Sequence, residues 1–144
     1  MPIPDRIERT VDLAQPPQRV WEALTSAEGL GSWFGNRATV DLRPGGTAYV
    51  EWDGKDFKAT LTISVVEPPT RFAWTWAIQG LPATDPRRTY VEFTLEPVGA
   101  GTRLTVVESG FAQLPPEAHR KAFDGNTRGW ASELGELIDY LDAA

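Results

Sequence analysis

The chain has no cysteine, one histidine and one methionine among its 144 residues. Without thiols it can form no disulfide, no thiolate metal site and no thiol nucleophile. A histidine-based zinc site or a compact Ser-His-Asp triad would rest wholly on His119. That residue stands beside Arg120 and Lys121 and reads as a solvated surface position. No metal and no cofactor are expected. The sequence also lacks an apolar run near the ~18–20 residues that a bilayer span needs. Its start, Met1-Pro2-Ile3-Pro4-Asp5-Arg6, has neither the basic opening nor the apolar stretch of a signal peptide. A cytoplasmic location without membrane association is the expectation. Positive charge is scarce as well: 14 bases against 20 acids give a net charge of −6. The bases are scattered, with Arg87-Arg88 and Arg120-Lys121 the only adjacent pairs, so binding to nucleic acid by counterion release is disfavoured.

Aromatic residues are plentiful. Six Trp, six Phe and three Tyr make 10% of the chain, and such rings serve cores and ligand-lined cavities alike. No repeat, low-complexity tract or linker divides residues 1–144, which read as one domain of ordinary size. Ile7, Val11 and Leu13 alternate with polar partners in a first strand over Arg6–Leu13. Pro16-Pro17 opens a short helix with Val20, Trp21 and Leu24 on its apolar face. Ser26 is placed to cap a second short helix carrying Leu30, Trp33 and Phe34. From Ala38 to Gly110 the period is two, and six further strands follow. They are separated by turns at Pro44-Gly45-Gly46, Asp53-Gly54, Glu67-Pro68-Pro69, Gly80–Arg87 and Gly99-Ala100-Gly101. After Pro115-Pro116 the period becomes helical, with Phe123, Trp130, Leu134, Leu137, Ile138 and Leu141 on one stripe. A helix over Glu117–Leu141 would be about 37 Å long and would cross the full width of the sheet. Gly125 and Gly129 weaken it and mark where a kink would fall.

Strand, two short helices, six-strand meander and closing helix follow the order of the helix-grip fold, an α+β architecture with a curved seven-stranded antiparallel sheet. Five motifs in register sharpen the likeness. They are Thr25-Ser26-Ala27-Glu28-Gly29-Leu30 with Trp33-Phe34; Pro44-Gly45-Gly46; and Glu67-Pro68-Pro69-Thr70-Arg71-Phe72 with Trp74-Thr75-Trp76. Thr102-Arg103-Leu104-Thr105 through Glu108-Ser109-Gly110-Phe111 follows, then Gly129-Trp130 with Leu134, Leu137 and Tyr140-Leu141. Over nearly its whole length the chain resembles the family similar to the activator of heat shock protein 90 ATPase, within the START-like (SRPBCC) superfamily. The resemblance implies an apolar cavity between the sheet and the long helix. It also implies relatives that bind lipids, sterols, polyketides or plant metabolites, a few of which catalyse cyclisation or dehydration there. The eukaryotic namesake is usually one domain of a longer co-chaperone.

Period-two alternation puts Ala48, Val50 and Trp52 on one face and Phe72, Trp74 and Trp76 on one face. Trp33, Trp52, Phe57, Trp74, Trp76, Phe93 and Trp130 are the rings expected at such a cavity, against the plainer reading that they fill a core. Trp33-Phe34 would either close the cavity mouth or anchor its helix to the sheet. Glu108 shares the alternation of Thr102, Leu104 and Val106, so a regular strand turns its carboxylate inward. There it could orient a ligand or act as acid or base; otherwise it reaches water at the rim or meets an arginine. Tyr90 and Arg71 are further candidates for setting polarity. The expected function is non-catalytic binding of a small hydrophobic or aromatic molecule, as carrier or sensor, by a monomer or homodimer. A cyclase or dehydratase using Glu108 is the second reading. A module that modulates a chaperone or another protein partner is the third.

Overall fold

The computed structural model describes residues 4–53, 57–78, 81–82 and 84–143. The elements run β1 (Arg6–Leu13), α1 (Pro17–Thr25), α2 (Ala27–Gly29), a π-helical turn (Leu30–Phe34), β2 (Arg37–Val40), β3 (Thr47–Trp52), β4 (Phe57–Glu67) and β5 (Arg71–Ala77). β6 (Arg88–Val98), β7 (Gly101–Ser109), a 3₁₀ turn (Phe111–Gln113) and α3 (Pro116–Asp142) complete the chain. All seven strands lie in one antiparallel sheet of order β1-β7-β6-β5-β4-β3-β2. Six of the strands therefore form a meander, and β1 closes onto β7 after the helical insertion. This is the helix-grip α+β architecture that the pattern of periods implies. Gly54 of the Asp53-Gly54 turn and Gly80 lie outside the described residues.

Local chemistry sets the helical insertion. Proline occupies the first turn of α1, where its missing N–H costs nothing. Ser26 Oγ accepts the Gly29 N–H at 2.9 Å and caps α2. The chain then widens by one residue: Gly35 N–H donates to Leu30 O at 2.8 Å, an i→i+5 bond. Trp33 and Phe34, the last two residues of that turn, are both buried. Trp33 Nε1 donates to the Ala23 carbonyl at 2.7 Å, which ties the turn to α1. Gly29 is needed at this junction, because a Cβ there would stand 2.3 Å from the Ala23 oxygen.

α3 is unbroken over 27 residues, about 40 Å at 1.5 Å per residue. The helix passes without a break through Gly125 and Gly129, the glycines that weaken it. Trp130, Leu134, Leu137 and Leu141 face the sheet, and the core also takes in Ile63, Phe72, Val91, Leu104 and Val106. The stripe runs one turn further toward the N-terminus than expected. His119 is buried rather than solvated, stacked on Phe111 with an interplanar angle of 5°. Its Nε2 lies 2.8 Å from the Pro4 carbonyl, which can only accept, so this nitrogen carries the proton. Helical periodicity accounts for the correction: His119 is one turn before Phe123 and shares its face. No helix among the described residues is long and apolar enough to cross a membrane.

Candidate functional site

Strand register builds one end of the inner face around Glu108. β7 stays regular through Ser109, so the carboxylate points inward with Thr102, Leu104 and Val106, and it is 0% exposed. On β5 and β6, Trp76 and Thr89 are directly paired, and both donate to Oε2: Trp76 Nε1 at 2.8 Å and Thr89 Oγ1 through a short bond. From α3, Asn126 and Trp130 sit at i and i+4 on one helical face. Asn126 Nδ2 and Trp130 Nε1 each donate to Oε1 at 2.9 Å. Two indoles, a hydroxyl and an amide thus occupy both carboxylate oxygens. All four partners are uncharged. Glu108 neither reaches water at the rim nor meets an arginine among the described residues, and its four bonds join sheet to helix.

The rings above it interlock. Phe34 lies 5.1 Å from Trp52 and 5.8 Å from Trp74 between centroids, and stacks at 5.9 Å on both Trp76 and Trp130. Trp74 continues the stack inward to Phe93 at 5.1 Å and Phe72 at 5.7 Å. Spacings of 4.5–7 Å are those of direct aromatic packing. Trp74 is fully buried, and its indole N–H has no acceptor among the described residues.

Space remains at one end. A cleft of about 810 Å³ opens beside Phe34, Trp52, Trp76, Asn126 and Trp130, with Ile78 and Leu81 adding apolar wall. It lies where the sheet splits. Among the described residues the β4–β5 pairing stops at Thr62–Thr75, so the first half of β4 pairs with β3 alone and the end of β5 with β6. A bulge contributes, since Ile63 pairs with Trp74 but Val65 with Ala73, leaving Ser64 over; bulges bend and twist the strand that carries them. On the helix side the wall includes Gly125 and Gly129, one turn apart, together with Asn126, Trp130 and Glu133. The two glycines leave room because they bring no side chain.

The expected ring residues are therefore divided. Trp52, Trp76 and Trp130 line the cleft. Trp33, Trp74 and Phe93 are core residues away from its wall, because alternation assigns a face of the sheet but not a position along it. Phe57 belongs to β4, and its side chain lies outside the described residues. Glu108 stands one side chain behind the wall. Phe34, named in the sequence only with Trp33 as closing the cavity mouth or anchoring its helix, is the further ring at the cleft. Its neighbour Trp33 takes the anchoring role, and the extra residue of the π turn carries Phe34 round to the cleft. Tyr90 and Arg71 are on the outer face. The Tyr90 hydroxyl donates to Glu92 at 2.7 Å, and Arg71 pairs with Glu92 at 3.2 Å and Glu67 at 3.3 Å.

The segment before β6 borders the cleft through Leu81, leads into Arg88 at the start of β6, and is braced by charge. Arg87 donates to both Asp85 oxygens, at 3.0 and 2.9 Å, and its backbone N–H adds a third bond at 2.9 Å. The Arg87 side-chain bonds, then the backbone bond, hold the Asp85 carboxyl at about 2, below its ordinary 3.8. A carboxyl whose pKa falls on folding stabilises the fold above its ordinary value, and that contribution is lost as pH drops through the folded value. The brace should be intact above about pH 4 and gone below about pH 2. Carboxyl NMR titration should give an Asp85 midpoint near 2, returning toward 3.8 in Arg87→Gln. A wild-type midpoint already at 3.8 would mean that the brace does not form.

Comparison with known proteins adds a family and several folds. The family model described as Activator of Hsp90 ATPase homolog 1-like protein matches residues 14–142. No curated protein sequence matches the chain. Among solved structures, protein MLL2253 from Mesorhizobium loti is 26% identical, with a TM-score of 0.81 over 96% of this chain and 98% of that one. DynU16, from the dynemicin biosynthetic locus, is 25% identical with a TM-score of 0.79, over 97% of this chain and 48% of that one. The Aha1 dimer from Colwellia psychrerythraea is 21% identical with a TM-score of 0.76, over 94% and 95% of the two chains, a likeness of fold alone.

Proposed function

Because the chain belongs to the family of Activator of Hsp90 ATPase homolog 1-like proteins, with a START-like fold, we propose that it binds a small, mostly apolar or aromatic molecule in the cleft between sheet and α3, as a carrier or sensor. One observation carries this reading. A cleft of about 810 Å³ is walled by Phe34, Trp52, Trp76 and Trp130 at the place where β4 and β5 part. Ligand pockets typically measure about 300–1,000 Å³ and are lined by apolar and aromatic side chains with few polar groups. The likeness to a protein from a biosynthetic locus fits a small organic ligand.

The saturation of Glu108 supports binding over catalysis. An acid or base must reach the proton that it moves, and this carboxylate is separated from the cleft by the side chains that hold it. The cyclase or dehydratase reading would require those bonds to break. The chaperone-modulating reading draws on the family name and on a neighbour described as an Aha1 dimer.

Titration of intrinsic tryptophan fluorescence against a panel of apolar and aromatic metabolites tests the proposal. Saturable one-to-one quenching is the expected result, since three of the six indoles border the cleft. Silence across hydrocarbons, aromatic ketones and sterols alike would overturn it. Turnover of a bound compound, lost in Glu108→Gln, would favour the enzyme. Stimulation of a chaperone ATPase with no small ligand present would favour the protein-interaction module.

A further inference from the structure

The cleft is electrically lopsided along its depth. Behind its inner wall lies the Glu108 carboxylate, fully buried and held only by uncharged donors. Three of those donors, Trp76, Asn126 and Trp130, are themselves cleft-lining residues. A buried carboxyl group with no cationic partner among the described residues is an unfavourable neighbour for any anion brought close to it through low-dielectric surroundings. The outer rim has the opposite character. Lys58 and Arg88 both line the cleft and both are exposed, and strand register sets them on the outer face of the sheet beside the split between β4 and β5. Among the described residues neither is tightly ion-paired: the Lys58 ammonium is 3.8 Å from Glu51, and the Arg88 guanidinium donates to the backbone carbonyls of Asp85 and Arg87. The Asp85 carboxylate is taken up by Arg87. Glu133, the acid among the described lining residues, is engaged in an interaction of its own.

These two observations select both a class of ligand and its orientation. Resting on the ligand-binding reading above, we propose that the ligand is an aromatic acid, a planar apolar body with one carboxylate or sulfonate, which enters ring first and leaves its anion at the rim with Lys58 and Arg88. The body stacks on Phe34, Trp76 and Trp130, whose mutual spacing of about 6 Å already forms a continuous aromatic surface. Both indole N–H groups are turned to Glu108, so those rings offer the ligand apolar surface and no donor. The reverse orientation would press an anion against the wall that Glu108 backs. Charge at the floor and charge at the rim thus point the same molecule the same way.

Two dyes that share a ring system separate this proposal from the reading beneath it. Anilinonaphthalene sulfonate is anionic, and phenylnaphthylamine lacks the sulfonate. The ratio of their affinities for the full chain, rather than either affinity, is the readout. The sulfonate should bind about fivefold tighter, the scale of two exposed charge pairs, with the advantage shrinking as salt is raised. In Lys58→Gln/Arg88→Gln the ratio should fall to about one. Lys58→Gln alone, which leaves the 85–88 segment untouched, should show part of that fall. A wild-type ratio near one with the neutral dye bound would overturn the aromatic-acid assignment while leaving cleft binding intact, as would a ratio that survives both substitutions. Failure of both dyes to bind would overturn the ligand-binding reading itself, and this inference with it.

Discussion

Replacing Glu108 with glutamine should lower the unfolding free energy by about 2–4 kcal/mol, although the change removes no heavy-atom volume. Both indoles at this carboxylate can only donate. Trp76 Nε1 serves one oxygen and Trp130 Nε1 the other, so whichever way the glutamine amide turns, its NH₂ faces one of them. Thr89 can rotate its hydroxyl to accept and Asn126 can flip its amide, but an indole can do neither. One buried N–H is left unsatisfied, at about 1–3 kcal/mol, and the bonds that remain lose their charge assistance. For a chain of this size the melting temperature should fall by roughly 5–15 °C. Chemical denaturation of Glu108→Gln, with Trp76→Phe and the double variant to isolate the coupling, measures it. A loss below about 0.5 kcal/mol, the scale of an ordinary surface change, would show that the four bonds are not made together.

Gly129→Leu should weaken binding of an aromatic probe at least about tenfold, equivalent to 1.4 kcal/mol, while the protein becomes slightly more stable. Gly129 is an interior residue of α3 and lines the cleft. An added Cβ would meet nothing within 4 Å. Leucine is a better helix former than glycine by roughly 0.5–1 kcal/mol, and its side chain would stand in space that the probe needs. Opposite signs for stability and affinity are the signature, because a damaged fold would lose both. Probe titration and thermal melting of the same preparation decide the matter. Affinity within about twofold of wild type would place the ligand elsewhere.

The glycines show how a correct sequence observation can carry the wrong weight. Gly125 and Gly129 do weaken an isolated helix, which is why a kink is expected there. In the fold α3 stays unbroken, with Trp130, Leu134, Leu137 and Leu141 buried along it. The missing side chains then serve to open volume beside Asn126 and Trp130. Helix propensity is a local quantity; the space next to a helix is not.

Glu108 shows the converse. Its inward direction follows from period-two alternation and was legible without coordinates. Its partners were legible only in pairs: Asn126 with Trp130 by helical spacing, but Trp76 with Thr89 only once the β5–β6 register is known. That all four reach one carboxylate depends on how deeply α3 sits across β5, β6 and β7, which no linear spacing encodes. Trp74 and Trp76 make the same point. They share a strand and a face, yet Trp74 is sealed among rings and Trp76 borders the cleft.

By itself the sequence determined the seven strands, the helical insertion capped at Ser26, the long closing helix and the aromatic character of what lies between, because each follows from periodicity, capping and turn chemistry within a few residues. Only the tertiary structure decided which rings interlock and which face a void, that Phe34 and not Trp33 reaches that void, and that Glu108 is spent on holding indoles. Those outcomes depend on the relative placement of a rigid helix and a sheet that parts after Thr62–Thr75, and contacts between residues far apart in the chain are fixed by packing, not by pattern.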